Sequence, residues 1–312
     1  MNDLILAFDF GGTKLSAAVI NRDALGDERP QWPALRREFT PADADAAYEL
    51  AAMLRLAREL LAGRSPATVG VSFGGPVDFP RGLVRLSHHV RGWENVPLRD
   101  LVAHEFGCPA FVDNDANVAA LGEHRFGAGR GVDDLMYITV STGVGGGWIL
   151  GGRPWRGHAG MAGEIGHTVV DPAGPLCLCG KRGCVERLAS GPYMAADWEE
   201  GRGGKGEREK GSGGVTGKDV AVAAAAGDPV AKEILLRGAR ALGMGIGNAA
   251  NLVNPQRFIL GGGVTKAGAI WWGEVRRAAR ATALPEVAFD VVPAMLGDDA
   301  PLWGAVALTE QL

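Results

Sequence analysis

Cysteine is scarce, with four residues in a chain of 312. So low a count excludes a disulfide framework and fits a reducing, cytoplasmic compartment. An excess of basic charge is missing too. The 32 lysines and arginines are outnumbered by 36 aspartates and glutamates, for a net charge of -4. No cationic face is therefore expected that could neutralise the phosphates of a nucleic acid. No apolar run reaches the length that spans a bilayer, which excludes a membrane helix. The opening stretch, MNDLILAFDFGGTK, has no basic segment before its apolar run and no small-residue cleavage site after it. It is predicted to be a strand and not a signal peptide.

Glycine is abundant instead, with 48 residues, about twice ordinary usage. The glycines gather in short loops, where backbone can approach a ligand closely. Hydrophobic residues at 46% and charged residues at 22% are ordinary for a globular chain, and the length suits about two domains.

Three of the four cysteines fall in one stretch, GEIGHTVVDPAGPLCLCGKRGCVE, residues 163–186. His167, Cys177, Cys179 and Cys184 offer one imidazole and three thiols, a set that binds zinc tetrahedrally in closed structural sites. Their spacing is neither that of a common zinc finger nor that of a redox C-x-x-C. Gly180 and Gly183 let the backbone wrap the last thiolates around one ion. Glu164 and Glu186 bracket the stretch, and a rigid metal loop would hold both carboxylates toward a common pocket. Cys108 lies outside the set and reads as a buried apolar residue.

Along the chain, residues 4–10 read as a buried strand that delivers Asp9 into the turn Gly11-Gly12-Thr13-Lys14, with a returning strand over 15–20. An acidic residue beside exposed turn amides suits a phosphate with its Mg²⁺, although the same pattern also serves as a plain hairpin. Residues 41–63 are predicted as an amphipathic helix, 69–73 as a strand, 93–106 as a turn and helix, and 110–112 as a strand. That last strand runs into Asp113-Asn114-Asp115-Ala116-Asn117, before a helix over 118–126. A carboxylate there sits where open α/β sheets bind ligands. It could also be a helix cap, but two aspartates and two asparagines exceed what a cap requires.

The strand predicted over 135–140 leads into Ser141-Thr142-Gly143-Val144-Gly145-Gly146-Gly147 and another strand over 148–150. This repeats the opening architecture and suggests two related α/β domains, each with a phosphate turn, the two facing one another to clamp a polyphosphate. Residues 199–217, rich in glycine and charge, read as a mobile loop. Helices are predicted over 219–226 and 228–252. A strand over 257–260 ends in Gly261-Gly262-Gly263, which could lie against a flat ligand such as adenine. A helix over 269–281, a strand over 287–292 and a helix over 301–312 complete the chain.

Five motifs, in order, resemble those of the ROK sugar kinases. They are Asp9-Phe10-Gly11-Gly12-Thr13-Lys14, Asn114-Asp115-Ala116-Asn117, the turn at 141–147, Gly163-Glu164-Ile165-Gly166-His167, and Cys177-x-Cys179-Gly180-x-x-Gly183-Cys184-x-Glu186. The resemblance spans about residue 4 to the last helix. It implies an α/β fold of the two-domain actin-like ATPase (ribonuclease H-like) type, with a cleft between the domains. The expected domains are 1–112 plus about 297–312, and 113–296 with the zinc loop.

The resemblance also implies roles. Asp115 would be the general base. Gly75, Asn114, Glu164, His167 and Glu186 would bind sugar hydroxyls, His167 while also ligating zinc. Gly11, Gly12, Thr13, Lys14, Thr142 and Gly143 would hold the phosphates of ATP, with Asp9 near Mg²⁺ and Gly262 and Gly263 beside adenosine. Phosphoryl transfer independently needs positioned phosphates, a metal and a carboxylate that takes a proton.

The implied activity is ATP-dependent phosphorylation of a hexose at its 6-hydroxyl, glucose first. Fructose, mannose or N-acetylmannosamine are the alternatives, and a non-catalytic sugar sensor stands outside the enzymes. ATP, Mg²⁺ and a structural Zn²⁺ are the implied cofactors, and a homodimer or homotetramer the implied assembly, with neither nucleic acid nor membrane as partner. The family's repressors carry a DNA-binding helix-turn-helix ahead of the first phosphate strand; only three residues precede Leu4, so none is expected. Two loops depart from the family pattern. Gly74 stands where a proline is usual, and His88-His89 stand where Pro-Asn is usual ahead of Trp93.

Overall fold

The strand β1 (Leu4–Phe10) is buried along its whole length because a strand flanks it on each side and helices cover it. The computed structural model describes residues 3–26, 31–87, 89–203 and 214–310. β1 pairs antiparallel with β2 (Lys14–Asn21), which pairs antiparallel with β3 (Ala34–Phe39). The helix α1 (Ala46–Leu61) follows, then β4 (Thr68–Phe73), parallel to β1. A small hairpin of β5 (Val77–Asp78) and β6 (Leu83–Val84) and the helix α2 (Leu98–Phe106) lead to β7 (Ala110–Asn114), parallel to β4. The first sheet thus has the order β3-β2-β1-β4-β7.

The helix α3 (Asp115–Phe126) leads to β8 (Leu135–Val140), β9 (Val144–Leu150) and β10 (Arg153–Trp155). Then come α4 (Val185–Ala189), α5 (Gly191–Gly201), α6 (Gly217–Ala225) and α7 (Pro229–Val253). β11 (Arg257–Gly261), α8 (Ala269–Thr282), β12 (Asp290–Pro293) and α9 (Ala300–Leu308) complete the order. β11 lies between β8 and β12 and is parallel to both, and the second sheet reads β10-β9-β8-β11-β12. Strand by strand this repeats the first sheet, so the repeat read from the two glycine turns is a repeat of topology.

Local signals account for most boundaries. α1 begins at Ala46 and not near 41, because the Asp45 carboxylate accepts from Tyr48 N at the helix start. α3 begins at Asp115, three residues earlier than expected, with Asn114 as its cap. β12 begins at Asp290 and not at 287, where Val287 N is taken by a turn to Leu284 O. β3 went unforeseen; ALRREF is half-exposed and shows no clean alternation. α5 also went unforeseen and runs to Gly201, into the segment read as a mobile loop, while α6 opens at Gly217 with a Thr216–Asp219 capping box. Residues 204–213 of that segment lie outside the described residues.

The chain divides into two compact units, 1–133 with 147–162 and 294–312, and 134–146 with 163–293. This division differs from the expected boundary at 112: α3 stays in the first unit, packed along α9, and α9 also lies on β1 and β4. The approach of α3 and α9 is backbone to backbone. A Cβ on Gly304 would overlap the carbonyl of Val118, so only glycine fits there. Glu123 of α3, fully buried, accepts from Ala128 N at 2.8 Å, Leu296 N at 2.8 Å and Met295 N at 3.1 Å, and so fastens the chain ahead of α9. In the second unit α7 and α8 pack together, with Gly243 and Gly247 of α7 against α8.

Removing the Glu123 carboxylate leaves three backbone N–H groups without their acceptor. Glu123→Ala should lower unfolding stability by about 1–3 kcal/mol, the cost of orphaning the buried Leu296 N, since the other two donors are part-buried and water can reach them. Chemical denaturation measures this, and a midpoint within error of the parent chain would show that water satisfies these groups.

Candidate active site

In the first unit the site is built on strand ends. Asp9, one residue from the end of β1, lies opposite Ser16 of β2 and Ser72 of β4. Behind it Phe10, Phe73 and Trp93 pack edge-on or tilted, with centroids 4.9–6.0 Å apart, and Trp93 Nε1 donates to the buried Glu49 at 2.7 Å. The turn from β1 to β2 is closed by Gly11 N donating to Lys14 O at 3.1 Å, and Gly12 and Thr13 are exposed. The loop that departs from the family pattern lies over this turn: a Cβ on Gly12 would meet the His89 ring at 2.8 Å. His88 lies outside the described residues.

β7 delivers the second carboxylate. Asn114 Oδ1 accepts from Ala116 N at 3.0 Å and Asn117 N at 3.4 Å, so Asn114 is the helix cap. The Asn114 amide donates to Gly75 O at 3.1 Å and to Asp115 Oδ1 at 3.0 Å, which ties the expected sugar contacts Gly75 and Asn114 to the expected base. Asn114 is thus the cap residue, and Asp115 Oδ1 shares Ala116 N with it at 2.8 Å. Gly74, in place of the usual proline, sits between the two halves of this arrangement. A Cβ there would lie 3.1 Å from Phe10 O and 3.9 Å from Asp115 Oδ2.

Burial, with the Asp115 carboxylate adding to it, pushes Asp9 up from 3.8 to about 7, against the pull of Ser72, Lys14 and Arg37. On β7, Asp113 Oδ2 accepts from Arg156 Nε at 2.6 Å, and the Arg156 guanidinium lies 3.6 Å from the centroid of the Phe79 ring. Burial pushes Asp113 up and Arg156 pulls it back. Arg156 carried no signal in the sequence. It is one arginine among many, some forty residues from the aspartate it neutralises.

In the second unit the turn between β8 and β9 spans Ser141, Thr142 and Gly143, closed by Ser141 N donating to Gly143 O at 2.9 Å. The glycines after it belong to β9, where they admit neighbours closely: a Cβ on Gly146 would lie 2.7 Å from Gly163 O. Gly146 and Gly147 serve packing, which narrows the turn expected over 141–147. Glu186, at the start of α4, accepts from Val144 N through Oε2 at 2.9 Å. Gly262, at a φ of 88°, lies against the backbone of Val140, and Gly263 faces Ser141. Glu164 and His167 sit at the two ends of the turn at 164–167, closed by His167 N donating to Glu164 O at 3.1 Å; Glu164 is exposed and His167 half-buried.

His167, Cys177, Cys179 and Cys184 come together, with one donor atom of each within 4.8 Å of all the others. The Cys179 and Cys184 sulfurs are 3.5 Å apart, close to the ~3.8 Å that two thiolates tetrahedral on zinc would show. His167 Nδ1 is buried and finds no hydrogen-bond partner among the described residues. As bare thiols the group is uncomfortable: burial and the neighbouring sulfurs push Cys184 up to about 12, while the Lys181 N–H draws Cys179 down. A divalent cation among the sulfurs would reverse the first effect. These four residues fit a metal ion. Cys108 stands apart and is partly buried.

A family model described as the ROK family matches residues 5–312. A glucokinase of Streptomyces coelicolor is 34% identical over 99% of this chain and 98% of its own length. A glucokinase of Halalkalibacterium halodurans is 40% identical over 78% of this chain and 76% of its own. Among solved structures, a ROK family glucokinase from Streptomyces griseus in complex with glucose and AMPPNP superposes with a TM-score of 0.81 at 34% identity, covering 99% of this chain and 100% of that one. The fold is accordingly that of the actin-like ATPases, as the motifs predicted. No helix among the described residues is long and apolar enough to cross a membrane.

The raised Asp9 sets a dependence on pH. Between about pH 4 and 7 the folded chain keeps a proton on Asp9 that the unfolded chain has released. Stability therefore falls as pH rises through that window, and the whole cost, of order 4 kcal/mol at most, is present above about 7. Asp9→Asn removes the titration. In metal-free buffer the variant should melt higher than the parent at pH 8 and alongside it at pH 4. Calorimetry across that range reads the difference, and a gap that does not change with pH would mean that Asp9 is not the titrating group.

Proposed function

The chain belongs to the ROK family, and from that premise we propose that it is an ATP-dependent hexose kinase that phosphorylates the 6-hydroxyl of glucose. The observation that carries the reading is the division of labour at the head of α3. Asn114 caps the helix, and a second carboxylate, Asp115, is kept beside it within reach of Asp9. The glucokinase relatives, at 34% and 40% identity, support glucose as the acceptor.

In this reading Asp115 takes the proton of the attacking hydroxyl. Gly75, Asn114, Glu164, His167 and Glu186 hold the remaining hydroxyls, whose desolvation calls for charged or amide partners. The turn amides at Gly11, Gly12 and Thr13, with Lys14, and those at Thr142 and Gly143 hold phosphates, and Gly262 and Gly263 lie by adenosine. Asp9 would hold Mg²⁺, which supplies charge neutralisation on the transferring phosphoryl group. The fit of Asp9 rests on its raised proton affinity: a cation that holds it as carboxylate relieves the cost of burying it.

His167, Cys177, Cys179 and Cys184 would hold one structural zinc that orders the loop from Glu164 to Glu186. Metal analysis should find about one zinc per chain. Cys179→Ser should lose both zinc and sugar affinity, and full activity in a zinc-free preparation would sink this part of the proposal. Assembly into a homodimer or homotetramer, as the resemblance implies, is read by light scattering.

Asp115→Asn separates kinase from sensor. The amide keeps the shape and an acceptor for Ala116 N, but cannot take the proton. Sugar affinity should hold while kcat falls by about two or more orders of magnitude. A coupled assay of ADP release over glucose, fructose, mannose and N-acetylmannosamine, run on both forms, measures this. Turnover of another hexose first would reassign the substrate, and turnover of none in the parent chain would leave a sugar sensor.

A further inference from the structure

The bond between Glu186 and Val144 joins two groups with separate expected duties. Glu186 is a sugar ligand in the proposed function, and Val144 follows the phosphate turn. Yet Val144 N donates to Glu186 Oε2 at 2.9 Å, and a Cβ on Gly143 would lie 2.8 Å from that same oxygen. The carboxylate rests directly on the turn.

Its own placement is firm. Val185 N donates to Thr168 O at 3.0 Å, which ties α4 to the segment after His167. Arg187, the next residue, binds both carboxylate oxygens of Asp197 at 2.9 and 2.8 Å, and Cys184, two residues before, belongs to the metal cluster. On the other side, the turn is anchored by Gly191 N donating to Ser141 O at 2.8 Å. Glu186 thus sits between two fixed frames and closes the gap through one charged hydrogen bond. Bonds of this kind are stronger than neutral ones, and losing the acceptor leaves a turn amide to be reordered when a ligand arrives.

We propose that Glu186 is a positioning residue for the phosphate turn as well as a sugar ligand, with Oε2 on Val144 N and Oε1 serving a sugar hydroxyl. The inference rests on the hexose kinase reading and adds a coupling to it. A sugar on Oε1 restricts the carboxylate, which restricts the turn, so that the nucleotide meets a turn already ordered. Linkage makes the effect mutual: whatever sugar does for nucleotide, nucleotide does for sugar. A bare carboxylate beside the turn would repel a polyphosphate. One that accepts from the turn amide and a hydroxyl is partly neutralised by both.

The test crosses the two subsites, with calorimetric titrations of glucose alone and of AMPPNP with Mg²⁺ alone. Glu186→Ala, a change on the sugar side, should weaken AMPPNP by about tenfold with no sugar present. Glu186→Gln keeps a neutral acceptor for Val144 N and should restore most of that loss, which a general defect in folding would not. Gly143→Ala, a change on the nucleotide side, should weaken glucose several-fold with no nucleotide present. The added Cβ meets the far end of a flexible side chain and displaces it without disturbing the backbone. AMPPNP binding to Glu186→Ala as to the parent, or glucose binding to Gly143→Ala as to the parent, overturns the proposal. A parent chain that binds neither probe overturns the hexose kinase reading, and this inference falls with it.

Discussion

A buried carboxylate held near a second one is the constraint on which the first unit depends. Asp9 is buried and carries a proton up to about neutral pH, with Asp115 adding to the cost. Such a pair costs stability in the free chain and persists only where the surroundings determine it. The surroundings here do so in layers. β1 is clasped by β2 and β4, Phe10 is wedged among Phe73 and Trp93, and Asn114 fixes the head of α3. Asp113, one strand position before the cap, is held by Arg156, which rests on Phe79. Buried polar groups of this kind are satisfied in pairs, which holds the end of β7 in place.

The second unit meets a comparable demand by other means. Its proposed functional groups lie on loops, and loops must be tied down to serve as a site. Gly146 of β9 admits Gly163 and Ile165 onto the strand, and the thiol–imidazole cluster gathers the segment 167–184 about one point. Glu186 then closes onto the turn between β8 and β9. A metal would give this loop the rigidity that the first unit obtains from its aromatic core.

Much of this was legible in the chain alone, for physical reasons. Apolar runs such as LILAFDF can satisfy their backbone only by burial in a sheet, so the strands were readable. Asp9 before a glycine turn, Asn-Asp at a strand end and three thiols with an imidazole stood out as chemical groups, and the structure sets the first two at strand ends and gathers the last four. Their order along the chain pointed to the ROK family, and the family model agrees. Edge strand β3 and helix α5 were illegible because a half-exposed strand and a helix beside a glycine-rich segment show no clear period.

Sequence by itself thus determined the class of fold, the family and the identity of the chemical groups, because these follow from side-chain chemistry and local periodicity. Tertiary structure alone decided which neighbour caps α3, that Gly146 and Gly147 serve packing, and that Arg156 neutralises Asp113. It alone showed Glu123 fastening the chain ahead of α9 and Glu186 resting on the turn between β8 and β9. Each of these is a contact between residues distant in the chain or a choice between adjacent acceptors. Such contacts are set by how elements pack, and no local pattern of residue types encodes them.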